Sequence, residues 1–244
     1  MSRFVAALGL SLLLCAHAAA QTFPARSGEA GILDVPDATT VGRGNGLLGA
    51  ELRLDDVSGQ SARVGPLPLY AVLGVAAPLD LGLTMREWGQ PGDPLPSRVH
   101  FGAALKLQLL PPAALLPGVA VSAFADRLNG DLVPGVRVAV STAQLGPIRA
   151  TAFAGGEFGA SAGFAGGAAL TVATPRNTEV AVEALTGPQG ANLGAALRWR
   201  VKPGLGLFMG LNYLPEESGY RASFGLALSP FVKPAAAATT KLGP

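Results

Sequence analysis

Cysteine is almost absent from this sequence. The single cysteine, Cys15, lies in the opening stretch MSRFVAALGLSLLLCAHAAAQ, where one arginine, an apolar run and a cluster of small residues follow one another. That layout is typical of a secretory signal peptide, which we assign to residues 1–20. Leu14 stands where a lipoprotein signal carries a small residue, so we expect Cys15 to leave with the signal. A mature chain without cysteine excludes a disulfide framework and a thiolate metal site.

Long apolar runs are also missing after the signal peptide. Charged residues make up 14% of the chain and its mean hydropathy is +0.39, which is too apolar for disorder and high for a soluble domain. The longest apolar candidate, residues 107–124, is interrupted by Pro111, Pro112 and Pro117, whereas a membrane helix needs about 18 or more apolar residues. Because only helices and closed sheets satisfy every backbone polar group in lipid, a closed β-barrel is the membrane fold that remains.

What the sequence has instead is alternation. In NLGAALRWRV, residues 192–201, large or apolar side chains occupy every second position and polar or small ones the positions between. Such alternation places the two sets on opposite faces of a strand, and in a barrel wall one face meets lipid and the other the lumen. Segments of this kind, each about nine to thirteen residues long, have the length of tilted spanning strands. They are residues 46–55, 63–75, 79–87, 98–110, 118–127, 135–143, 148–156, 163–173, 178–186, 192–201, 205–214 and 220–229.

The predicted fold class is therefore all-β, a single up-and-down antiparallel transmembrane β-barrel of about twelve strands over residues 46–231. A soluble β-sandwich or clam-like secreted domain is the alternative that the same alternation allows. An even strand count places both chain ends on the periplasmic side. We expect residues 21–45, rich in Pro and Gly and without alternation, to form a periplasmic segment that plugs the lumen or docks a partner. Residues 232–244 predict a flexible Pro/Ala-rich periplasmic tail.

Twelve charged residues inside the predicted strands lie on the register opposite to that of the large apolar residues. Lipid-facing charges near the membrane midplane cost about 2–4 kcal/mol, so this register is assigned to the lumen. The predicted lumen charges are Glu51, Arg53, Arg86, Lys106, Asp126, Arg137, Arg149, Glu179, Glu183, Arg198, Arg200 and Arg221. Glu179 falls opposite Arg198 or Arg200, which predicts an ion pair. Two interpretations stay open: the charges solvate or brace a narrow barrel, or they form a cationic constriction that selects anionic solutes or glycans.

Aromatic residues make up only 6% of the chain. Trp199, Tyr213 and Tyr220 lie near strand ends on the lipid register, where amphipathic rings prefer the headgroup level, so we predict a thin interface belt. Phe124, Phe153 and Phe208 lie on the lumen register instead. These three rings are expected to fill part of the bore.

Two stretches carry a resemblance to a known group of proteins. SGEAGILDVPDATTVGRGNG, residues 27–46, resembles the entry segment of outer-membrane β-barrels found beside the polysaccharide-export and gliding-motility machineries of delta-class bacteria. HFGAALKLQLLPPAALLPGVAVSAFADR, residues 100–127, is similar to a hairpin of the same barrels. The C-terminus departs from their pattern, because Phe231 is followed by VKPAAAATTKLGP and is not a terminal aromatic residue.

This resemblance implies a non-enzymatic outer-membrane component of an envelope-spanning machinery for gliding motility or polysaccharide secretion. It also implies protein partners in the periplasm or outer membrane. The alternative is a small independent porin for passive diffusion of small, anionic solutes, with a glycan or solute in the lumen. In either case we expect localisation to the outer membrane, contact with its lipid, no cofactor and no nucleic acid, since the net charge is only +2.

Enzyme signals are weak. The mature chain contains one histidine, His100, whose register places it in the lumen without a serine two residues away. We expect it to be hydrogen-bonded to a neighbour and not catalytic. The scattered Asp and Glu residues form no cluster with metal-ligand spacing, so no metal site is predicted.

Overall fold

A computed structural model of the chain describes residues 23–25, 29–32, 34–56, 63–64, 68–87, 99–113, 116–159, 162–174, 177–188 and 190–229. One antiparallel sheet of thirteen strands dominates these residues. Its strands are β3 (Gly46–Asp56), β4 (Arg63–Val64), β5 (Leu69–Ala76), β6 (Leu79–Glu87), β7 (Val99–Leu110), β8 (Gly118–Asp126), β9 (Val133–Ser141), β10 (Ile148–Glu157), β11 (Gly163–Thr174), β12 (Thr178–Gly187), β13 (Gly190–Lys202), β14 (Leu205–Leu214) and β15 (Gly219–Leu228).

The sheet closes on itself. Each strand pairs with its neighbour in the chain, and β15 pairs with β3 continuously from Tyr220 opposite Asp56 to Leu228 opposite Leu48. β4 has two residues and adds only a short second pairing to β3, so the wall consists of twelve spanning strands. Closure removes the unpaired edges that an open sheet would present, and each of the twelve spanning strands has backbone partners on both sides. The predicted twelve-stranded antiparallel barrel is confirmed.

Side chains alternate in exposure along the wall. In β14 the outward residues Leu207, Met209 and Leu211 are 41–52% exposed, whereas the inward Phe208 and Asn212 are at most 9% exposed. Among the described side chains, no outward-facing position between the terminal residues of a strand carries a charge. The exterior is therefore an apolar belt of Leu, Val, Phe and Met side chains, as a wall in contact with lipid requires.

The two ends of the barrel differ in their connections. We call the end where β3 begins and β15 ends the entry end. Its turns are short, as at Pro203 and Gly204, where Gly204 has φ +80°. Register shifts in β5, β7 and β13 all lie in the last residues before entry-end turns, between Gly74 and Ala76 in β5 for example. Such bulges bend the strand ends and increase the local twist.

A short N-terminal structure precedes the barrel. β1 (Phe23–Pro24) and β2 (Ala30–Gly31) form a two-stranded antiparallel sheet, and a bridge from Gly31 to Pro36 adds a third extended piece. The backbone continues to Asn45 and enters β3 at Gly46. Helical structure in the described part of the chain is limited to a turn of 3-10 helix, Pro215–Glu217, and no helix there is long and apolar enough to span a membrane.

Most predicted strand bounds differ from the observed ones by one or two residues. The larger differences have local causes. The strand predicted at 135–143 runs over Val133–Ser141, because Val133 pairs with Asp126 and extends the ladder by two residues. The strand predicted at 63–75 is present as β4 and β5, in a part of the chain that contains Pro66 and Pro68, and prolines cannot donate to the ladder. The predicted signal peptide, residues 1–20, and tail, residues 232–244, lie outside the described residues.

Candidate functional site: the barrel lumen

Charged side chains line the inner face of the barrel. All the predicted lumen charges belong to the inward register of their strands, with Glu51, Lys106, Glu183 and Arg198 at most 5% exposed. The basic ones come from seven strands: Arg53, Arg86, Lys106, Arg137, Arg149, Arg198, Arg200 and Arg221. Cationic side chains therefore come from seven of the twelve spanning strands, and carboxylates lie among them on the same inward register: Glu51, Asp80, Asp126, Glu157, Glu179 and Glu183.

Some of these charges brace the wall itself. Arg198 lies opposite Glu179 in the ladder, with Nη1 3.6 Å from Oε2, and Arg200 Nη2 lies 3.9 Å from the other oxygen of Glu179. This is the ion pair that the sequence predicts. On the other side of the barrel, Arg86 donates to Asp126 over 2.9 Å.

Other wall charges contact the N-terminal segment, which we define as residues 29–45. Asp37 of this segment is fully buried between two wall cations, 3.6 Å from Lys106 Nζ and 3.4 Å from Arg149 Nη1. Glu29 lies 3.3 Å from Arg137 Nη1 and is 2% exposed. Glu29 and Asp37 are thus paired with cations of β7, β9 and β10.

Burial raises the pKa of Asp37, but the nearby charges of Lys106 and Arg149 and hydrogen bonds donated by Thr39 lower it by more. The net pKa lies below the ordinary aspartate value. Asp37 is consequently an anion at neutral pH, although none of its side chain reaches solvent.

Backbone carbonyls of the segment accept further hydrogen bonds from the wall. Lys106 Nζ donates to Ala30 O at 3.1 Å and to Asp37 O at 3.2 Å. Arg198 Nη2 donates to Gly31 O at 2.8 Å, and Gln108 Nε2 donates to Ala38 O at 2.7 Å. These bonds satisfy carbonyl groups that have no helix or long ladder to pair with, which fixes the position of the segment inside the wall.

Amides and carboxylates form a separate network toward the opposite end. Asn192 donates to Asp34 at 3.2 Å, and Asn212 donates to Asn192 at 2.9 Å and to Glu183 at 3.3 Å. The backbone N–H of Asp34 donates to Glu183 at 3.2 Å. The segment therefore reaches wall residues of β12, β13 and β14 as well as those of the basic side.

The segment also has an apolar side. Ile32 and Val35 are fully buried and belong to one cluster with inward-facing residues of the wall. The wall members of that cluster are Ala169, Ala181, Ala196, Phe208 and Ala227, from β11 to β15, with Phe153 and Leu185 packed against it. Small side chains on these strands leave room for the two branched side chains of the segment.

Close backbone contacts hold the segment where it leaves the lumen at the entry end. Gly44 N donates to Gly74 O at 2.8 Å, and Gly74 N donates to Asn45 O at 2.9 Å. A Cβ atom at Gly74 would collide with the carbonyl of Gly42. Glycine is required at this position because two backbones meet there. Val41 N donates to both carboxylate oxygens of Asp80 on β6, at 3.2 and 3.0 Å.

The predicted bore-filling rings lie inside. Phe208 is 9% exposed, and the Arg137 guanidinium lies 3.8 Å from the ring centroid of Phe124 and 5.9 Å from that of Phe153. Arg137 is thus held by a cation–π contact as well as by Glu29. His100 has a buried Nδ1 with no hydrogen-bond partner among the described residues.

The predicted belt residues lie on the outer face. Trp199 is 50% exposed near the entry end. Tyr213 and Tyr220 are 36% and 51% exposed near the opposite end, where their ring centroids are 5.1 Å apart. The three rings therefore lie near the two rims of the apolar outer face, and we propose that they contact the headgroup layer of the bilayer, where amphipathic rings are favoured.

Sequence reasoning missed several residues of this site. Glu29, Asp34 and Asp37 lie in a stretch without strand alternation, so no register could assign them to the lumen. Asp80 lies on the inward register of a correctly predicted strand, so its position in the alternation could have assigned it to the lumen. In the described part of the chain no group of three or more His, Cys, Asp or Glu side chains could hold a metal ion.

Comparisons with known proteins agree on the fold. No family model and no curated protein matches the sequence. Among solved structures, the KdgM porin in complex with disordered oligogalacturonate is similar over 75% of this chain and 98% of its own, with a TM-score of 0.57 and 8% identity. The NanC porin is similar over 73% and 98%, with a TM-score of 0.58 and 8% identity. An outer-membrane channel from Pseudomonas putida F1 is similar over 81% and 100%, with a TM-score of 0.55 and 10% identity.

Proposed function

We propose that this protein is an outer-membrane channel for small anionic solutes and that it is not an enzyme. The single observation that carries the proposal is the basic lining of the closed barrel, in which arginine and lysine side chains from seven strands face the lumen. Rings of positive side chains lower the energy of an anion inside a low-dielectric wall and raise that of a cation. The apolar exterior and its aromatic rims fit a location in the outer membrane.

The structural neighbours support the same reading. The three similar solved structures are two porins and an outer-membrane channel. One of the porins is in complex with an oligogalacturonate, a carboxylated oligosaccharide. A carboxylated sugar is the class of solute that a guanidinium-lined lumen would attract, because arginine binds carboxylates in a bidentate geometry. For the present chain we therefore propose carboxylated sugars or similar small organic anions.

The hypothesis of an export or motility component receives less support. Its basis is the resemblance of residues 27–46 and 100–127, whereas the structural neighbours are porins. A machinery component would act through periplasmic partners, and none of the lumen contacts described above requires one. Co-purification with periplasmic or lipoprotein partners, together with absence of conductance, would favour this second function.

Ion selectivity tests the proposal directly. In planar bilayers with a KCl gradient, the open channel should have a reversal potential displaced toward that of chloride. In liposome-swelling assays, galacturonate should enter faster than galactose, which has the same ring without the carboxylate. A reversal potential on the potassium side, or faster entry of galactose, would refute the anion channel.

A matched pair of variants separates lumen charge from net charge. Arg200 faces the lumen with 21% of its side chain exposed, and Lys202, two residues later, is exposed at the entry-end turn. Arg200→Gln should move the reversal potential toward zero, whereas Lys202→Gln should leave it unchanged. Equal effects of both substitutions would mean that the lining does not determine selectivity.

A further inference from the structure

The N-terminal segment and the lumen are complementary on two sides. Glu29 and Asp37 of the segment contact the basic wall, which we define as Lys106, Arg137 and Arg149 on β7, β9 and β10. Ile32 and Val35 pack against the alanine-rich wall, an apolar patch formed by Ala169, Ala181, Ala196, Phe208 and Ala227 on β11 to β15. The two kinds of contact thus lie on different strands. A segment that occupied a water-filled lumen without specific contacts would not show this match between its side chains and those of the wall.

The alanine-rich wall indicates that an apolar occupant belongs there. In an open channel of this geometry, Phe208 and the facing alanines would line water, where lumen positions of barrels are ordinarily polar. With the segment in place the same residues are 1–9% exposed. The apolar patch on the inner surface of β11 to β15 is therefore covered when Ile32 and Val35 are in place.

The cations of the basic wall likewise find hydrogen-bond and ion-pair partners in the segment. Lys106 is 1% exposed, and the hydrogen bonds described for its ammonium group go to Ala30 O and Asp37 O, with the Asp37 carboxylate alongside. Arg149 faces the second oxygen of that carboxylate. A solute anion in the lumen would meet these same charges. In this structure, carboxylates of the chain itself occupy the position that the solute anion would take.

We propose that the segment is a tethered internal anion that closes the channel and that a carboxylated solute displaces it by competing for Lys106, Arg137 and Arg149. This inference rests on the proposed anion channel and adds its regulation. Displacement is feasible because buried ion pairs gain little net stability over solvated charges. The segment is joined to the wall by an exposed turn at Arg43 and Gly44, in which Gly42 and Gly44 have positive φ values and which is anchored to Gly74 by the Gly44 N–H and the Asn45 carbonyl.

Removal of one internal charge tests the inference. Asp37→Asn keeps the size of the side chain but removes the anion from between two cations. In planar bilayers, we expect Asp37→Asn to raise the fraction of time that the channel is open at least ten-fold over the wild type. Asp131→Asn makes the same change of net charge in an exposed loop and should leave the open fraction unchanged.

Thiol accessibility gives a second readout that does not depend on conduction. Ser141 is fully buried, and its hydroxyl accepts a hydrogen bond from Ala38 N at 2.9 Å. Ser141→Cys is nearly isosteric and introduces a single thiol beneath the segment. A small anionic thiosulfonate should label it slowly in the wild-type background and at least ten-fold faster with Asp37→Asn or with added trigalacturonate. Uncharged maltotriose should not accelerate labelling, and Gln144→Cys, exposed at the entry end, should be labelled rapidly throughout.

The outcomes separate this inference from the proposed function. If Asp37→Asn opens the channel and exposes the Ser141→Cys thiol, both stand. If the thiol becomes accessible but no variant conducts, the segment moves but the protein is not a channel. If the wild type already conducts as well as Asp37→Asn, or the thiol stays protected with trigalacturonate and with Asp37→Asn alike, the segment is not an anion-displaced closure.

Discussion

Asp37 and Lys106 face each other across 3.6 Å inside the barrel, with 0% and 1% of their side chains exposed. The two residues are far apart in the chain, one in an irregular segment and the other in the middle of β7. Their contact joins the segment to the wall at a point where neither charge can be solvated by bulk water. We therefore expect substitution of either residue to weaken the closed state.

A double-mutant cycle on this pair should show strong coupling. Lys106→Met or Asp37→Asn alone leaves a buried charge without its main partner, at a cost of about 3–5 kcal/mol to the closed state. The double variant removes both charges and should cost clearly less than the sum of the single changes. The ratio of closed to open time in bilayer recordings measures each term. Additivity within about 0.5 kcal/mol would contradict a direct interaction.

The apolar side of the segment should contribute independently of charge. Val35→Ala removes buried methyl groups and leaves a cavity, which should weaken the closed state by about 2 kcal/mol, or roughly thirty-fold in the closed-to-open ratio. Val180→Ala makes the same truncation on the outer face of β12, where the side chain is 42% exposed. An equal change in gating from both variants would show that burial against the alanine-rich wall does not matter.

The close backbone contact at the entry end predicts a steric effect without any change of charge. Gly74→Ala would place a methyl group against the Gly42 carbonyl and 3.2 Å from the Val41 side chain. We expect the segment to be displaced and thiol labelling at Ser141→Cys to increase. Gly156→Ala is the control, because the nearest atom to its new Cβ would be 3.8 Å away. If the thiol stays protected in the Gly74→Ala background, this backbone contact does not hold the segment in place.

The lipid-facing register predicts a depth-dependent cost of charge. Val182 is 50% exposed in the middle of β12, and Val201 is 42% exposed one residue from the end of β13. Val182→Lys should destabilise the bilayer-inserted barrel by about 2–4 kcal/mol and Val201→Lys by about 0–1 kcal/mol. Unfolding titrations of protein in liposomes measure both. A larger penalty at Val201 would mean that the outer face has been assigned to the wrong depth.

Much of the wall could be predicted because a strand encodes its two faces locally. The positions of Leu193, Leu197 and Trp199 are set by a period of two, and Arg198 then has to lie on the other face. Once two strands are joined by a short turn, their pairing follows, so the contact of Glu179 with Arg198 could be anticipated. In the barrel wall, the alternation within each strand and the observed pairing of strands therefore assign the side chains to the same faces.

The occupant of the lumen could not be predicted in the same way. The segment from Glu29 to Asn45 has no period, and its partners lie up to 167 residues away, as for Gly31 and Arg198. Only its composition suggested a plug or a docking arm. That Asp37 meets Lys106 of β7 and Arg149 of β10 depends on the barrel diameter and on which strands face each other, and no short window of sequence contains that information.

The most direct test of the account is to cut the tether after the protein has folded. A specific protease site is inserted in the exposed turn at Arg43 and Gly44, away from the residues of the segment that contact Lys106, Arg137 and Arg149. Bilayer recordings of one preparation before and after cleavage should show a mostly closed channel that becomes mostly open and anion-selective. No change in current on cleavage would contradict the account, as would a cleaved channel that prefers potassium over chloride.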